Sequence, residues 1–494
     1  VTDEQIQQGA AGEGEAAAQG RPDVPRRKNG LYPQVSDALH ELMASGWADT
    51  ELRGLEPVAQ APYAARRRAA LSARFPGERL VVPAGNRKVR ANDTDYPFRA
   101  ATEYVHLTGD QTFDAVLVLE PLADGGHEAV LYLPERSSRS NGEFWLDGDK
   151  GELWTGRRHS LAEAEQLYGM PCRDIRTAPD ALEQATGPVR VVRGYDESVE
   201  AALHDKVTAE RDEELTVFLS ELRLVKDEFE IGELQKACDA TARGFEDVVK
   251  VLDKAQATSE RYLEGTFFLR ARVEGNDVGY GSICAAGEHA TIMHWVRNDG
   301  PVRDGELLLL DAGVETETLY TADVTRTLPI NGRFTPLQRR IYDAVHEAQE
   351  AGIRAVKPGA AYRDFHDVAQ RVLAERLVEW GLLEGPVDRV VELGLQRRFS
   401  LAGTGHMLGL DVHDCAKART EAYVDCVLEP GMVLTVEPGL YFQADDLLVP
   451  AEYRGIGVRI EDDILVTEDG NRNLSAALPR TSRDVEAWMA ELRG

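Results

Sequence analysis

Six side chains are candidates for chemistry because each interrupts a run of apolar or small residues. LLLLDAG carries Asp311, ADVTRTL carries Asp323, VLTVEPG carries Glu437, GVRIEDD carries Glu461, and GTGHMLGLDVHD supplies His406 and His413. A carboxylate inside a sheet is costly unless something pairs with it. Alternate side chains of a strand share a face. Asp323 should therefore project with Thr325 and Thr327, Glu437 with Val433 and Thr435, and Glu461 with Arg459 and Asp463. Converging anions repel strongly without cations to neutralise them. Arg459 can neutralise one, and a pair of metal ions can neutralise the rest. Imidazole with carboxylates is a mixed nitrogen and oxygen set that suits Mn²⁺, Co²⁺ or Zn²⁺ better than Ca²⁺ or Mg²⁺. Two such ions sharing carboxylates can hold a hydroxide and polarise a carbonyl, which is hydrolytic chemistry.

Rival motifs are weaker. GTGHMLG has the glycines of a phosphate loop but is not framed by an apolar strand and a helix start. Asp147 and Asp149 lie in a polar stretch that lacks the closing glutamate of a calcium loop. Five widely spaced cysteines without a CxxC read as buried thiols in a reducing compartment.

The elements that must position these groups belong to a chain of 494 residues, long enough for more than one domain. A formal net charge of −29 disfavours nucleic acid and anionic membrane surfaces as partners. No apolar run approaches the roughly 20 residues of a membrane helix. The start, VTDEQIQQGAAGEGEAAAQG, has neither the basic nor the apolar region of a signal peptide, so a cytoplasmic location is expected.

Residues 1–58 read as an N-terminal extension, flexible to about residue 30 and then helical over 32–47, with Ser36 as its start signal. Residues 59–222 alternate helical stretches with short β-branched runs and form an α/β domain. Residues 223–494 place long amphipathic helices at 224–252, 259–274, 336–356 and 361–380. Antiparallel-looking strands lie between and after them, which is α+β.

Taken together, LDAG, ADVTRT, GTGHMLGLDVHD, VEPGLY and YRGIGVRIEDD closely resemble the metal-dependent pita-bread peptidases. Within them the likeness is greatest to the aminopeptidase P (Xaa-Pro aminopeptidase) branch, with prolidase as its near relative. DYPFRAATEYVHLTG followed by FDAVLVLEP is similar to that branch's N-terminal domain. The resemblance implies a pita-bread catalytic domain and two divalent ions, Mn²⁺ first and Co²⁺ or Zn²⁺ next. It implies Asp311, Asp323, His406, Glu437 and Glu461 as ligands, with Asp323 and Glu461 bridging. Glu437 would also shuttle protons. Asp311 would help hold the substrate's free amine. His294 and His413 would bind substrate and stabilise the tetrahedral intermediate, with Arg459 orienting ligands and Tyr280 and Tyr441 lining the site.

The activity implied is release of the residue preceding proline from peptides, by attack of a metal-bridging hydroxide, in a homodimer or homotetramer. The alternatives are a dipeptidase of the prolidase type and a non-catalytic pita-bread binding protein. Three positions depart from the family pattern. The Asp311–Asp323 spacing is one residue longer than usual, Ala402 replaces a frequent histidine, and Val105 replaces an N-domain tryptophan. A longer or bulged turn is expected between the two aspartates.

Overall fold

RLVVP, VLVLEP and HEAVLYL alternate poorly in polarity because both faces of their sheet are covered, and most of their residues are buried. In the computed structural model, which describes residues 35–123 and 125–494, they form strands Arg79–Pro83, Val116–Pro121 and His127–Leu133. These pair antiparallel at the centre of a five-stranded sheet, and Cys172–Asp174 and Val189–Val191 add parallel edges. Helices such as Ala61–Arg74 and Leu161–Tyr168 accompany the sheet, the latter opened by a Ser160–Glu163 capping box. The chain divides into the units Val1–Asp212 and Glu213–Gly494, and the division falls inside helix Ala209–Glu221.

The flexible tail expected at the start of the chain lies outside the described residues, as does the beginning of the 32–47 helix. What is described is one short helix, Asp37–Met43, capped by the Ser36 side chain. None of its residues is buried. The extension is held instead by Trp47, whose ring meets Phe144 edge-on at 5.0 Å, and by main-chain bonding of Val58 to Leu167. The 137–152 stretch contains a helical turn, Glu143–Leu146, because Phe144 is buried there beneath the Arg139 guanidinium.

In the second unit, helix Glu228–Lys250 starts at an Asp227–Glu230 capping box and packs on Glu260–Glu274. Gly244 allows the close approach, since a Cβ there would lie 2.6 Å from the Phe267 ring. Helices Pro336–Ala355 and Asp364–Glu379 form a second packed pair. The strands are short and antiparallel throughout. Ile283–Ala286, Leu307–Ala312 and Val324–Pro329 make one sheet, Val433–Val436, Asp462–Thr467 and Gly470–Asn473 a second, and Gly439–Phe442 with Ile456–Arg459 a two-stranded ribbon.

The strand-like segments around Glu437 and Glu461 are interrupted at those acids. MVLTVEPGLYF splits at Glu437–Pro438, and GVRIEDDILVTE splits at Ile460–Glu461. Pro438 has no N–H to give a ladder. Register is nevertheless kept across the gap, with Val436 opposite Asp462 and Gly439 opposite Arg459. The four acidic candidates thus do not all lie within strands. Asp311 does, whereas Asp323 sits just before one and Glu437 and Glu461 sit in the gap. Between Asp311 and Asp323 the chain makes a turn closed by Thr316 and Tyr320, with Leu319 in the left-handed region at φ 69°.

Candidate metal centre

Asp311 projects from the buried strand Leu307–Ala312, where Thr325 is its cross-strand neighbour. Asp323, at the entry to Val324–Pro329, is 5% exposed. His406 enters from the irregular GTGH segment, tied to the neighbouring strand because its N–H donates to Thr435 Oγ1 at 3.1 Å. Its Nε2 lies 3.3 Å from Asp323 Oδ2 and 3.5 Å from Glu437 Oε1. Atoms of Asp323, His406 and Glu461 that could grip an ion all fall within 4.8 Å of one another. Thr325 Oγ1 donates to Glu461 Oε2 at 2.6 Å.

Arg459 is the one guanidinium bonded to an acid of this cluster among the described residues. It donates to Asp311 Oδ2, to the Tyr441 hydroxyl at 2.9 Å and to Thr325 Oγ1 at 3.2 Å. The Tyr280 hydroxyl lies 2.6 Å from both Asp311 Oδ1 and Asp323 Oδ1. Its single proton can go to only one of them.

Acceptors here outnumber donors, and the titration behaviour follows. Burial raises the Asp311 carboxyl, against the opposing pull of Arg459, with the charge of Asp323 adding to the rise. Burial together with the charges of Asp323 and Glu437 holds Glu461 well above the carboxylate range. Burial pushes Glu437 up to about 7. Burial alone would lower His406, but its bond to Asp323 and the charge of Glu437 push it up to about 9. A cluster that holds protons this tightly has the charge deficit that divalent cations would fill. The donor set fits such ions on a second count. His406 Nδ1 faces the Met407 carbonyl at 3.1 Å, so with Nδ1 protonated the Nε2 lone pair points at the acids.

Of the remaining candidates, His413 touches this cluster. His413 is exposed, and its ring meets that of His406 edge-on at 4.3 Å. Partial burial lowers its pKa, and the nearby charges of His406 and His294 lower it further. His294 is exposed in the turn before Trp295. Ala402 lies exposed in the loop leading to His406, and Val105 is only 3% exposed within the first unit, so that position presents no side chain to solvent.

Some contributors escaped the sequence reading. His366, on helix Asp364–Glu379, accepts the Thr404 N–H through Nδ1 at 3.2 Å, and the Thr404 carbonyl accepts the Glu437 N–H at 2.7 Å. Nothing in the helical pattern marks His366. Asp463 accepts the Asp323 N–H at 3.1 Å and the Cys238 thiol at 3.2 Å. Strand alternation had placed Asp463 on the right face, but its partners lie far away in sequence.

A pita-bread fold with buried acids and one imidazole defines a metallopeptidase, and the chain belongs to metallopeptidase family M24, whose pattern it matches over residues 232–468. Residues 63–191 match the aminopeptidase P N-terminal domain. The Xaa-Pro aminopeptidase 1 of Streptomyces coelicolor is 76% identical over 471 residues, covering 95% of this chain and 96% of that one. The Xaa-Pro aminopeptidase of Escherichia coli is 34% identical, covering 89% of this chain and 100% of its own. Among solved structures, E. coli aminopeptidase P in a low-pH form superposes with a TM-score of 0.79 at 33% identity, over 88% of this chain and 99% of that one. An aminopeptidase from Pseudomonas aeruginosa does so at 0.78 and 33%, over 89% and 100%.

Proposed function

We infer that the chain is a metal-dependent Xaa-Pro aminopeptidase that releases the N-terminal residue from peptides with proline second. The observation that carries this reading is the set of buried acids gathered about His406 with too few protons and cations to satisfy them. Residues of the chain that would hold two divalent ions are Asp311, Asp323, His406, Glu437 and Glu461, with Mn²⁺ the first candidate. When bound, such ions polarise the scissile carbonyl and lower the pKa of water.

The side chains supply the rest. Glu437, whose Oε1 lies 3.5 Å from His406 Nε2, takes a proton from the attacking water and passes it to the leaving nitrogen. As the C–N bond breaks, proline's nitrogen takes up that proton and leaves as a neutral secondary amine. Asp311, neutralised in part by Arg459, receives the substrate's ammonium group. His413, whose ring meets that of His406, and His294, whose charge acts on His413, donate in this reading to the oxyanion of the tetrahedral intermediate. Tyr280 lies between Asp311 and Asp323, and Tyr441 holds Arg459, which bonds Asp311.

Among the described residues no helix is long and apolar enough to cross a membrane. Five free, buried cysteines support a cytoplasmic setting, the net charge of −29 disfavours nucleic-acid and anionic membrane partners, and a homodimer or homotetramer is taken from the family resemblance alone. The test is turnover of Xaa-Pro dipeptides, longer Xaa-Pro peptides and Xaa-Ala controls by chelated protein with Mn²⁺, Co²⁺ or Zn²⁺ added back. Cleavage of longer Xaa-Pro peptides supports the reading. Cleavage of dipeptides only would assign a prolidase.

A further inference from the structure

Two segments that carry proposed ligands meet without a ladder. Among the described residues, no strand pairing joins Val324–Pro329 to Ile456–Arg459 or to Asp462–Thr467. The joint is made by Thr325, Arg326 and Thr327. The Thr325 carbonyl accepts the Glu461 N–H at 3.1 Å while its hydroxyl reaches the Glu461 carboxylate. Thr327 Oγ1 accepts the Arg459 N–H at 3.1 Å and donates to the Arg459 carbonyl at 2.9 Å.

Arg326 turns to the opposite face and is 0% exposed. Its Nη1 donates to the carbonyls of Thr325 at 2.9 Å and Glu461 at 2.6 Å, one on each segment. Its Nη2 donates to Asp462 Oδ1 at 2.8 Å and the Leu478 carbonyl at 3.1 Å, and its Nε to the Pro479 carbonyl at 2.8 Å. All five N–H groups of the guanidinium are therefore used. Asp462 is fixed in turn by Gln349 Nε2 at 2.8 Å and Ser475 Oγ at 2.6 Å. A buried charge held by so many partners is a rigid strut, since moving either segment leaves a polar group unsatisfied.

We propose that Arg326 is a positioning residue for the metal centre. It touches no metal-facing atom, yet its guanidinium sets the separation of the main chains that carry Asp323 and Glu461, and Thr327 sets the same joint one residue on. The neighbouring Arg459 and Asp462 carry opposite duties. Arg459 faces the acids and Asp462 faces the strut, with Glu461 between them. The inference rests on the reading of Asp323 and Glu461 as ligands.

The test uses the full chain, stripped with chelator and titrated with Mn²⁺ against a competing indicator, alongside thermal melts of the metal-free protein. In R326M/D462L neither charge is left buried alone, which keeps the fold attainable. That variant is expected to melt cooperatively and to bind Mn²⁺ about 10- to 100-fold more weakly. Thr327→Val is expected to weaken binding in the same direction, and Thr327→Ser to restore it. Gly244→Ala, which crowds Phe267, is expected to lower the melting temperature while binding Mn²⁺ as the parent does.

Unchanged Mn²⁺ affinity in folded R326M/D462L and in Thr327→Val overturns the proposal. So does weakening in Gly244→Ala that matches theirs, because affinity would then only track stability. If the double variant does not fold, Thr327→Val against Thr327→Ser decides. Should the parent bind no Mn²⁺, or Asp323→Ala bind it equally well, the ligand reading itself fails, a result separate from failure of the strut.

Discussion

Glu437 and Glu461 stand opposite one another in the gap where two antiparallel strands break, between the pairs Val436–Asp462 and Gly439–Arg459. Like charges facing each other across strands are destabilising. Here the strand pairing is broken at both positions, and the place most hostile to a pair of glutamates becomes the wall of the proposed cation site.

Glu437 Oε1 lies 3.5 Å from His406 Nε2, and Glu437 is the acid proposed to move the proton. Glu437→Gln and Glu437→Ala are each expected to reduce kcat on Xaa-Pro peptides by about 100-fold or more. Circular dichroism should show an unchanged fold. A kcat within a few-fold of the parent would remove Glu437 from the chemistry.

Metal-free protein should lose stability as pH rises. Glu437 titrates near 7 in the fold against 4.5 ordinarily, and His406 near 9 against 6.5. Both values are raised, so the folded chain binds more protons than the unfolded chain between each pair of values. The Glu437 contribution is present below its ordinary value and lost as pH climbs towards 7. That of His406 is present below pH 6.5 and lost through 9. Melting temperature measured in chelator should fall between pH 5 and 9, and Mn²⁺ should flatten the decline. A melting temperature that rises with pH in chelator would contradict this electrostatic description.

Arg459 fans three donors onto Asp311, Tyr441 and Thr325, a geometry that an ammonium cannot reproduce. Arg459→Lys keeps the charge but is expected to cost roughly 10- to 100-fold in kcat/KM. Tyr441→Phe, which removes one acceptor, should cost less. Equal kinetics for Arg459→Lys and the parent would mean that charge alone matters there.

Much of the candidate site was legible because local chemistry marks it. Acids in apolar runs, the small-residue GTGH loop and strand alternation led to Asp311, Asp323, His406, Glu437 and Glu461, which the fold brings to one place. The break at Glu437–Pro438 was less legible. Pro438 hints at it, but the matching gap at Ile460–Glu461 carries no breaker and exists only because its partner strand ends. Arg326 and His366 were invisible for a different reason. Each acts through main-chain atoms of residues distant in sequence, and a pattern of side chains along the chain does not report where a carbonyl will lie. The helical turn at Glu143 likewise depends on Trp47 arriving from the N-terminal extension.

Crystals of the full chain grown with Mn²⁺ and measured at the manganese absorption edge address the metal centre most directly. Two anomalous peaks roughly 3.5–4 Å apart are expected among Asp311, Asp323, His406, Glu437 and Glu461. Absence of signal there, or peaks held by other side chains, would contradict the assignment of these residues as a dinuclear site.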